Sequence, residues 1–222
     1  MQISEFLVRE IAAGRLIDGE RLPPERDMAQ QLGTSVGTLR KALKTLEDDK
    51  LLERIQGSGN YIRTGGPTDA VYAMFRLEVP EGGGLPSAEL LSLDHMAKLP
   101  DLPDFGTSAR ATRLRRLRFL NGQPVAVEEI WLDGSAGDLE PDMVSESLYR
   151  TYRLRLDLWI DRAEDRVGLA PVPDWAPDAF GPSHGERVGY VERFAWAADA
   201  APVEYSRTWF DPDRAVYVQR LR

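Results

Sequence analysis

The stretch 21–50, "RLPPERDMAQQLGTSVGTLRKALKTLEDDK", constrains the chain more than any other. Its apolar residues form two short helical stripes. Met28, Ala29 and Leu32 make the first, which stops at Gly33, a residue suited to the turn that ends a helix. Val36, Leu39, Ala42, Leu43 and Leu46 make the second and line up as one continuous buried face. Thr34 or Ser35 precedes it as an N-cap. Pro24 is expected near the first turn of the first helix, where its missing N–H goes unneeded, and Glu25 and Asp27 suit that positive helix end. Two such helices joined by a short turn predict a helix-turn-helix. Gly37, Thr38, Arg40, Lys41 and Lys44 fall away from the apolar stripe. The second helix therefore carries a small basic face, and small residues at its start permit close approach to another surface.

The flanking segments fit the same module. Residues 3–14, "ISEFLVREIAAG", repeat apolar side chains at helical spacing (Ile3, Phe6, Leu7, Ile11) and meet a stop signal at Gly14. A Gly- and Pro-rich connector leads to Pro23 and Pro24. After the second stripe, Leu51, Leu52 and Ile55, then Tyr61 and Ile62, flank "QGSGN", a β-hairpin signal. A hairpin directly behind a helix-turn-helix is the wing of a winged helix. Gly57 and Gly59 lack a Cβ, so their backbone N–H groups can approach a phosphate closely, with Ser58 between them.

Charge is distributed unevenly. Residues 1–66 hold ten Lys/Arg and ten Asp/Glu; residues 67–222 hold 18 and 26, so the whole formal net charge of -8 lies in the second part. An acidic chain is a poor general nucleic-acid binder, because phosphate attraction supplies most non-specific affinity. A local basic face on a neutral module still meets that requirement. An ordinary solvated face explains Arg40, Lys41 and Lys44 equally well when they are taken alone. The order helix, helix-turn-helix, Gly-rich hairpin is far rarer by chance.

Other classes are disfavoured. Apolar content of 42% and charged content of 29% fit a folded chain. No run of about 18 apolar residues predicts a membrane helix. Glu5 and Glu10 interrupt the N-terminal apolar pattern, against a signal peptide. Cysteine is absent, which removes disulfides and thiolate zinc sites, and a cytoplasmic location is expected. His95 and His184 are the only histidines, and no HExxH, GxSxG, Walker or GxGxxG pattern occurs. No cofactor, metal or membrane partner is expected.

Residues 64–72 read as a linker and 78–86 as irregular chain. From residue 113 strand signals dominate. "TRLRRLRFLNGQPVAVEEIWL" is a hairpin around Asn121-Gly122. Alternation puts Leu114, Arg116, Arg118 and Leu120 on one face and Arg115, Leu117 and Phe119 on the other. In the return strand Val125, Val127, Glu129 and Trp131 oppose Ala126, Glu128, Ile130 and Leu132. "SLYRTYRL" and "DWAPDAFG" read as short helices, "LDLWIDRAEDRVGLA" as a strand, and 185–219 as a hairpin plus a last strand. If their face is covered, Arg116 and Arg118 need an anion or carboxylates. Glu128 and Glu204 are candidate internal partners; a bound ligand that completes or replaces the network is the alternative.

The segment "AAGRLIDGERLPPERDMAQQLGTSVGTLRKALKTLEDDKLLERIQGSGNYI" resembles the winged-helix domain of the GntR family of bacterial transcription regulators. It shares I-x-x-G-x-L-x-x-G-x-x-L-P-[SP]-E-R-x-[LM]-A, then S-x-x-T-[VL]-R-x-A-L-x-x-L, then the wing G-x-G. The resemblance implies DNA contacts from Arg26, Thr38, Arg40 and the wing glycines Gly57 and Gly59; Ser35, Gly37, Lys41 and Lys44 at the start and on the exposed side of the second helix, and Ser58 in the wing, are expected contacts as well. One position departs: family members commonly carry Arg straight after the Ser that opens the recognition helix, and Val36 stands here.

The second half resembles the UTRA domain of the HutC-type GntR subfamily, whose fold is like chorismate lyase. "RLRFLNGQPVAVEEIWL", "SLY" and "PVEYSRTWF" carry the likeness. It implies an effector pocket in which Arg116, Arg118, Ser147 and Tyr149 hold an anionic group while Glu128 and Glu204 face the polar ligand body. Phe210 stands where some relatives use Tyr, which removes a hydroxyl.

The expected architecture is therefore α+β: an N-terminal winged helix-turn-helix (1–65), a linker (66–72) and a C-terminal antiparallel-sheet α+β domain of chorismate-lyase-like, UTRA type (73–222). The expected function is a ligand-responsive repressor: a homodimer on double-stranded, pseudo-palindromic operator DNA, released by a small anionic or polar metabolite such as a sugar phosphate or organic acid. A chorismate-lyase-like enzyme using Glu128 and Glu204 as acid and base, and a DNA-binding dimer without a ligand, are the alternatives.

Overall fold

The computed structural model describes residues 2–12, 16, 19–63, 76–84, 86–145, 148–197 and 201–219. Gly14, the expected linker at 66–72 and Ser147 lie outside the described residues. The chain divides into two compact units, Met1–Arg76 with Gln219–Arg222, and Leu77–Val218.

The first unit contains α1 (Gln2–Ala12), α2 (Glu25–Gln31), α3 (Val36–Asp48), β1 (Leu52–Ile55) and β2 (Gly59–Ile62). Helix α3 is its centre and contacts α1, α2 and β1. Leu39, Leu43 and Leu46 of α3 are buried together with Leu7, Ile11, Met28, Leu52 and Ile62. Each such side chain contributes ~1.5–3 kcal/mol through burial, so the stripe legible in the sequence is what holds the unit together. Ser35 caps α3 by accepting from the Thr38 N–H at 3.1 Å. Pro24 is the N-cap of α2, directly before its first turn, with extended backbone at φ -49 and ψ 137. Gly33 takes φ 61, in the left-handed region open to glycine, and turns the chain from α2 into α3. Strands β1 and β2 pair antiparallel from Leu52↔Ile62 to Ile55↔Gly59.

The second unit is built on a six-stranded antiparallel sheet. Its strands are β4 (Pro86–Ala97), β5 (Arg110–Leu120), β6 (Gln123–Asp133), β7 (Arg162–Pro171), β8 (Arg187–Trp196) and β9 (Glu204–Phe210), ordered β4-β5-β6-β9-β8-β7. A two-stranded pair, β3 (Leu77–Glu78) with β10 (Val216–Tyr217), and helix α4 (Leu148–Leu156) complete it. Asn121 and Gly122 take φ 52 and 76, as a tight two-residue hairpin requires, and set the β5–β6 register.

Three expectations differ from the structure. Strand β4 precedes the first anticipated strand; its sequence "PSAELLSLDHMA" mixes polar and apolar residues because it is an edge strand, half exposed along its length. The segment 156–170 is not strand throughout: Asp157 takes φ 51, ends α4, and β7 starts only at Arg162. Leu158 N–H returns to the Tyr152 carbonyl at 3.2 Å, the bond pattern of a helix closed by a left-handed residue. "DWAPDAFG" forms only a single 3₁₀ turn, Asp178–Phe180.

The sheet buries both faces in different ways. One face packs Leu117, Val127, Val172, Phe180, Val188 and Trp209, with Phe105, Trp131 and Tyr205 alongside. The other carries Arg116, Arg118, Glu128, Glu204 and Arg193, and receives two tyrosines from α4.

Candidate functional site

In the first unit, helix capping and charge pairing arrange the basic face. Arg26, Gly37, Thr38, Arg40, Lys41 and Lys44 are exposed, and so is Gly57 at the wing tip. Ser35 and Thr38 are joined hydroxyl to hydroxyl at 2.8 Å, so both help fix the start of α3. Arg40 Nε donates to Glu25 Oε2 at 2.6 Å, which ties α3 to the start of α2. Lys44 pairs along its own helix with Asp48 at 2.8 Å and Glu47 at 3.6 Å, a solvent-exposed interaction that salt weakens. In the wing, Gly57 takes φ 75, and Ser58 Oγ lies 2.6 Å from the Tyr61 hydroxyl. A Cβ on Gly59 would stand 3.0 Å from Arg21 Nε, so the strand enters the hairpin close beside that guanidinium.

In the second unit, register brings the charged residues together. Arg116 and Glu128 are cross-strand partners, and Arg118 pairs with Ala126, so both guanidinium groups flank the one carboxylate. Arg116 donates to Glu128 Oε2 through Nε at 3.0 Å and Nη2 at 2.7 Å. Arg118 Nη1 lies 3.9 Å from the same oxygen. Both arginines are only 4% exposed. Burial works against the Glu128 charge, but Arg116 and Arg118 outweigh it and hold the carboxyl below the usual carboxylate range.

Glu204 has different partners. Tyr149 donates to it at 2.9 Å and Tyr152 at 2.6 Å, both from α4. Burial dominates and pushes the Glu204 carboxyl up, despite the two hydroxyls and the positive charges of Arg193 and Arg116. The same burial, with the Glu204 charge, drives both tyrosine hydroxyls well above their ordinary range. Phe210 lies on this face, directly opposite Gly189, where an added Cβ would come within 2.2 Å of its ring.

Three residues of this cluster escaped the sequence-based reading. Tyr152 is one. Arg193 and Asp165 are the others, joined by two hydrogen bonds at 2.5 and 2.6 Å on adjacent strands. Burial opposes the Arg193 charge, yet Asp165 and the Tyr149 hydroxyl raise its pKa. Arg193 sits between Val191 and Ala195 on an otherwise apolar strand face, a break in alternation visible in the sequence. Tyr217 in β10 also donates to Asp165, at 2.6 Å.

Residues 1–62 match the model of "Bacterial regulatory proteins, gntR family", and residues 83–215 match the UTRA domain. The chain belongs to the GntR family. It is a ligand-responsive, DNA-binding transcription regulator and not an enzyme. This GntR-family chain is 58% identical to the HTH-type transcriptional regulator SmoD of Agrobacterium fabrum, over 100% of its own length and 95% of that protein's. It is 25% identical to the HTH-type transcriptional repressor NagR of Bacillus subtilis, over 99% of this chain and 93% of NagR. Among solved structures, YydK of Bacillus subtilis superposes with a TM-score of 0.55 at 20% identity, covering 100% of both chains. PhnF of Mycobacterium smegmatis gives 0.52 at 21% identity over 99% of each. These two likenesses concern the fold alone.

Proposed function

We propose that this GntR-family regulator is a HutC-type repressor that releases operator DNA when a small anionic metabolite binds the face carrying Arg116 and Arg118. The domain limits are 1–65 for the DNA-binding head, 66–72 for the linker and 73–222 for the effector domain. The observation that carries the effector assignment is the convergence of two buried guanidinium groups on the single carboxylate of Glu128. Each guanidinium is a planar fork of N–H donors. A phosphate, sulfonate or carboxylate group competes with Glu128 for those donors as a bidentate acceptor. Ser147 and Tyr149 assist the arginines with the anionic group, while Glu204 and Phe210 frame the rest of the ligand. Sugar phosphates and organic acids fit this chemistry.

In the head, α3 enters the major groove with its N-terminal end towards base edges, and the wing follows the backbone. Arg40 reads a base; Arg26, Lys41, Lys44, Ser35, Thr38 and the Gly57-Ser58-Gly59 turn hold phosphates. Gly37 allows close approach. Two protomers of a cytoplasmic homodimer read a pseudo-palindrome. The effector shifts the spacing of the heads only as far as its affinity differs between the two arrangements.

Calorimetric titration of the full chain with a panel of sugar phosphates and organic acids tests the effector reading. The expected result is one class of anion that binds, lowers operator affinity and loses at least about tenfold in affinity in Arg118→Ala. Binding of the effector that is indifferent to Arg118 overturns the anion-site assignment.

A further inference from the structure

We infer that Glu25, which makes no base contact in the reading above, sets the sequence specificity of the head by fixing the Arg40 guanidinium before DNA arrives. The inference rests on Arg40 reading a base, as proposed above.

The geometry is particular. Glu25 is the first residue of α2, Arg40 lies one turn into α3, and they meet at 2.6 Å between Oε2 and Nε. Bonding through Nε leaves the two terminal nitrogens as a fork, the part of arginine that matches guanine O6 and N7. The other oxygen of Glu25 lies 3.7 Å from Arg54 Nη2 in β1. Arg54 Nε in turn donates to Asn60 Oδ1 in β2 at 3.3 Å. One carboxylate thus joins the start of α2, the recognition helix and the first wing strand.

Stability does not explain this arrangement. The Arg40 side chain is 64% exposed, and pairs that open contribute little to folding. An exposed arginine has many rotamers, however, and ordering it on the DNA opposes binding. Ordering it in advance removes that loss for the base that the fork fits and for no other. Glu25 also places a negative charge close to the phosphate backbone, which disfavours all duplexes alike. A residue that weakens general DNA attraction while orienting the reading side chain trades affinity for discrimination.

The two effects have opposite signs in a Glu25→Gln variant, and this makes the test decisive. The probe is the tightest duplex that the full-length wild type selects from a randomised pool, with a scrambled duplex of equal composition as the non-specific standard. Glu25→Gln is expected to bind the scrambled duplex as well as wild type or up to about threefold better. Its specific-to-nonspecific ratio is expected to fall at least about tenfold, with preference relaxed at the same base pair that Arg40→Ala relaxes. The double variant should discriminate no worse than Arg40→Ala alone. Circular dichroism monitors folding; if Glu25→Gln melts, Glu25→Asp, which keeps the charge but shortens the reach, is expected to lower the ratio by the same mechanism while scrambled-duplex binding stays at the wild-type level. A ratio within about twofold of wild type, when Arg40→Ala has lost operator affinity, overturns the role of Glu25 alone. Unchanged operator affinity in Arg40→Ala overturns the base contact itself and Glu25's role with it.

Discussion

Tyr152, on the second turn of α4, donates its hydroxyl to Glu204, the first residue of β9, at 2.6 Å. This bond and its neighbour from Tyr149 fasten the helix to the charged face of the sheet. Tyr152→Phe removes a donor from a buried carboxylate and is expected to cost ~1.5–3 kcal/mol. Burial already pushes the Glu204 carboxyl up, so losing this donor raises it further. The missing donor matters most when Glu204 is ionised, so the penalty should be larger at pH 8 than at pH 5. Urea denaturation at the two pH values measures it; an equal penalty at both contradicts the assignment.

Arg40→Ala is expected to weaken operator binding by ~1–3 kcal/mol, the size of one good base contact. Gel-shift titrations at fixed salt on the selected duplex give the number. Scrambled DNA should be affected far less, because the lost charge is one among many phosphate contacts.

Arg118→Ala should give a folded, DNA-binding protein that no longer responds to its effector. Arg118 is the better site for this test, because it lies 3.9 Å from Glu128 whereas Arg116 makes bonds of 3.0 and 2.7 Å. Arg116→Ala would strip the main partner from a buried charge and is expected to destabilise by ~3–5 kcal/mol. Melting curves and effector-induced DNA release, measured on both variants, separate the two outcomes.

Gly189→Ala is expected to destabilise the effector domain by ~1–3 kcal/mol, the usual cost of overpacking. A Cβ there would lie 2.2 Å from the Phe210 ring, so the ring must leave its place over the sheet. Gly189→Ala combined with Phe210→Leu should recover part of the loss. Additive penalties in thermal melts would show that the two positions do not share that space.

Acid should destabilise the effector domain through three carboxylates. Burial alone would raise Glu128, Glu129 and Asp133, but arginine partners at the first two, and Lys98 and Ser135 at the third, hold all three below their ordinary values. A depressed folded pKa gives stability that is present above the unfolded value, about 4, and lost as pH falls through the folded one. Glu204 acts in the opposite sense: its raised folded pKa favours the folded state at low pH, and that contribution fades as pH rises through it. The melting temperature should drop between about pH 4.5 and 3, and less steeply in Asp133→Asn. A wild-type melting temperature that does not fall over that interval refutes this account.

Local physics made much of this protein legible. The α3 stripe, the Ser35 cap, the Gly33 turn and the hairpin at Asn121-Gly122 each depend on residues a few positions apart, and periodicity or turn chemistry exposes such relationships. Strand alternation likewise puts Arg116 and Arg118 on one face, because residues two apart on a strand point the same way. Edge strand β4 was hidden because half-exposed strands dilute their own pattern.

Local periodicity and charge suffice to define two modules, a neutral helix-turn-helix head with a Gly-rich wing and an acidic strand-rich domain. Which charges meet follows from packing between distant segments: Glu128 rather than Glu204 takes Arg116, two α4 tyrosines hold Glu204, Arg193 and Asp165 join the same face, and Glu25 bonds Arg40. Those partners stand 12 to 55 positions apart along the chain. Pairing between distant strands, helix docking and, for Arg116 with Glu128, a bulge at Arg118/Phe119 that shifts the register begun at the hairpin turn bring them together, and no local periodicity reports those.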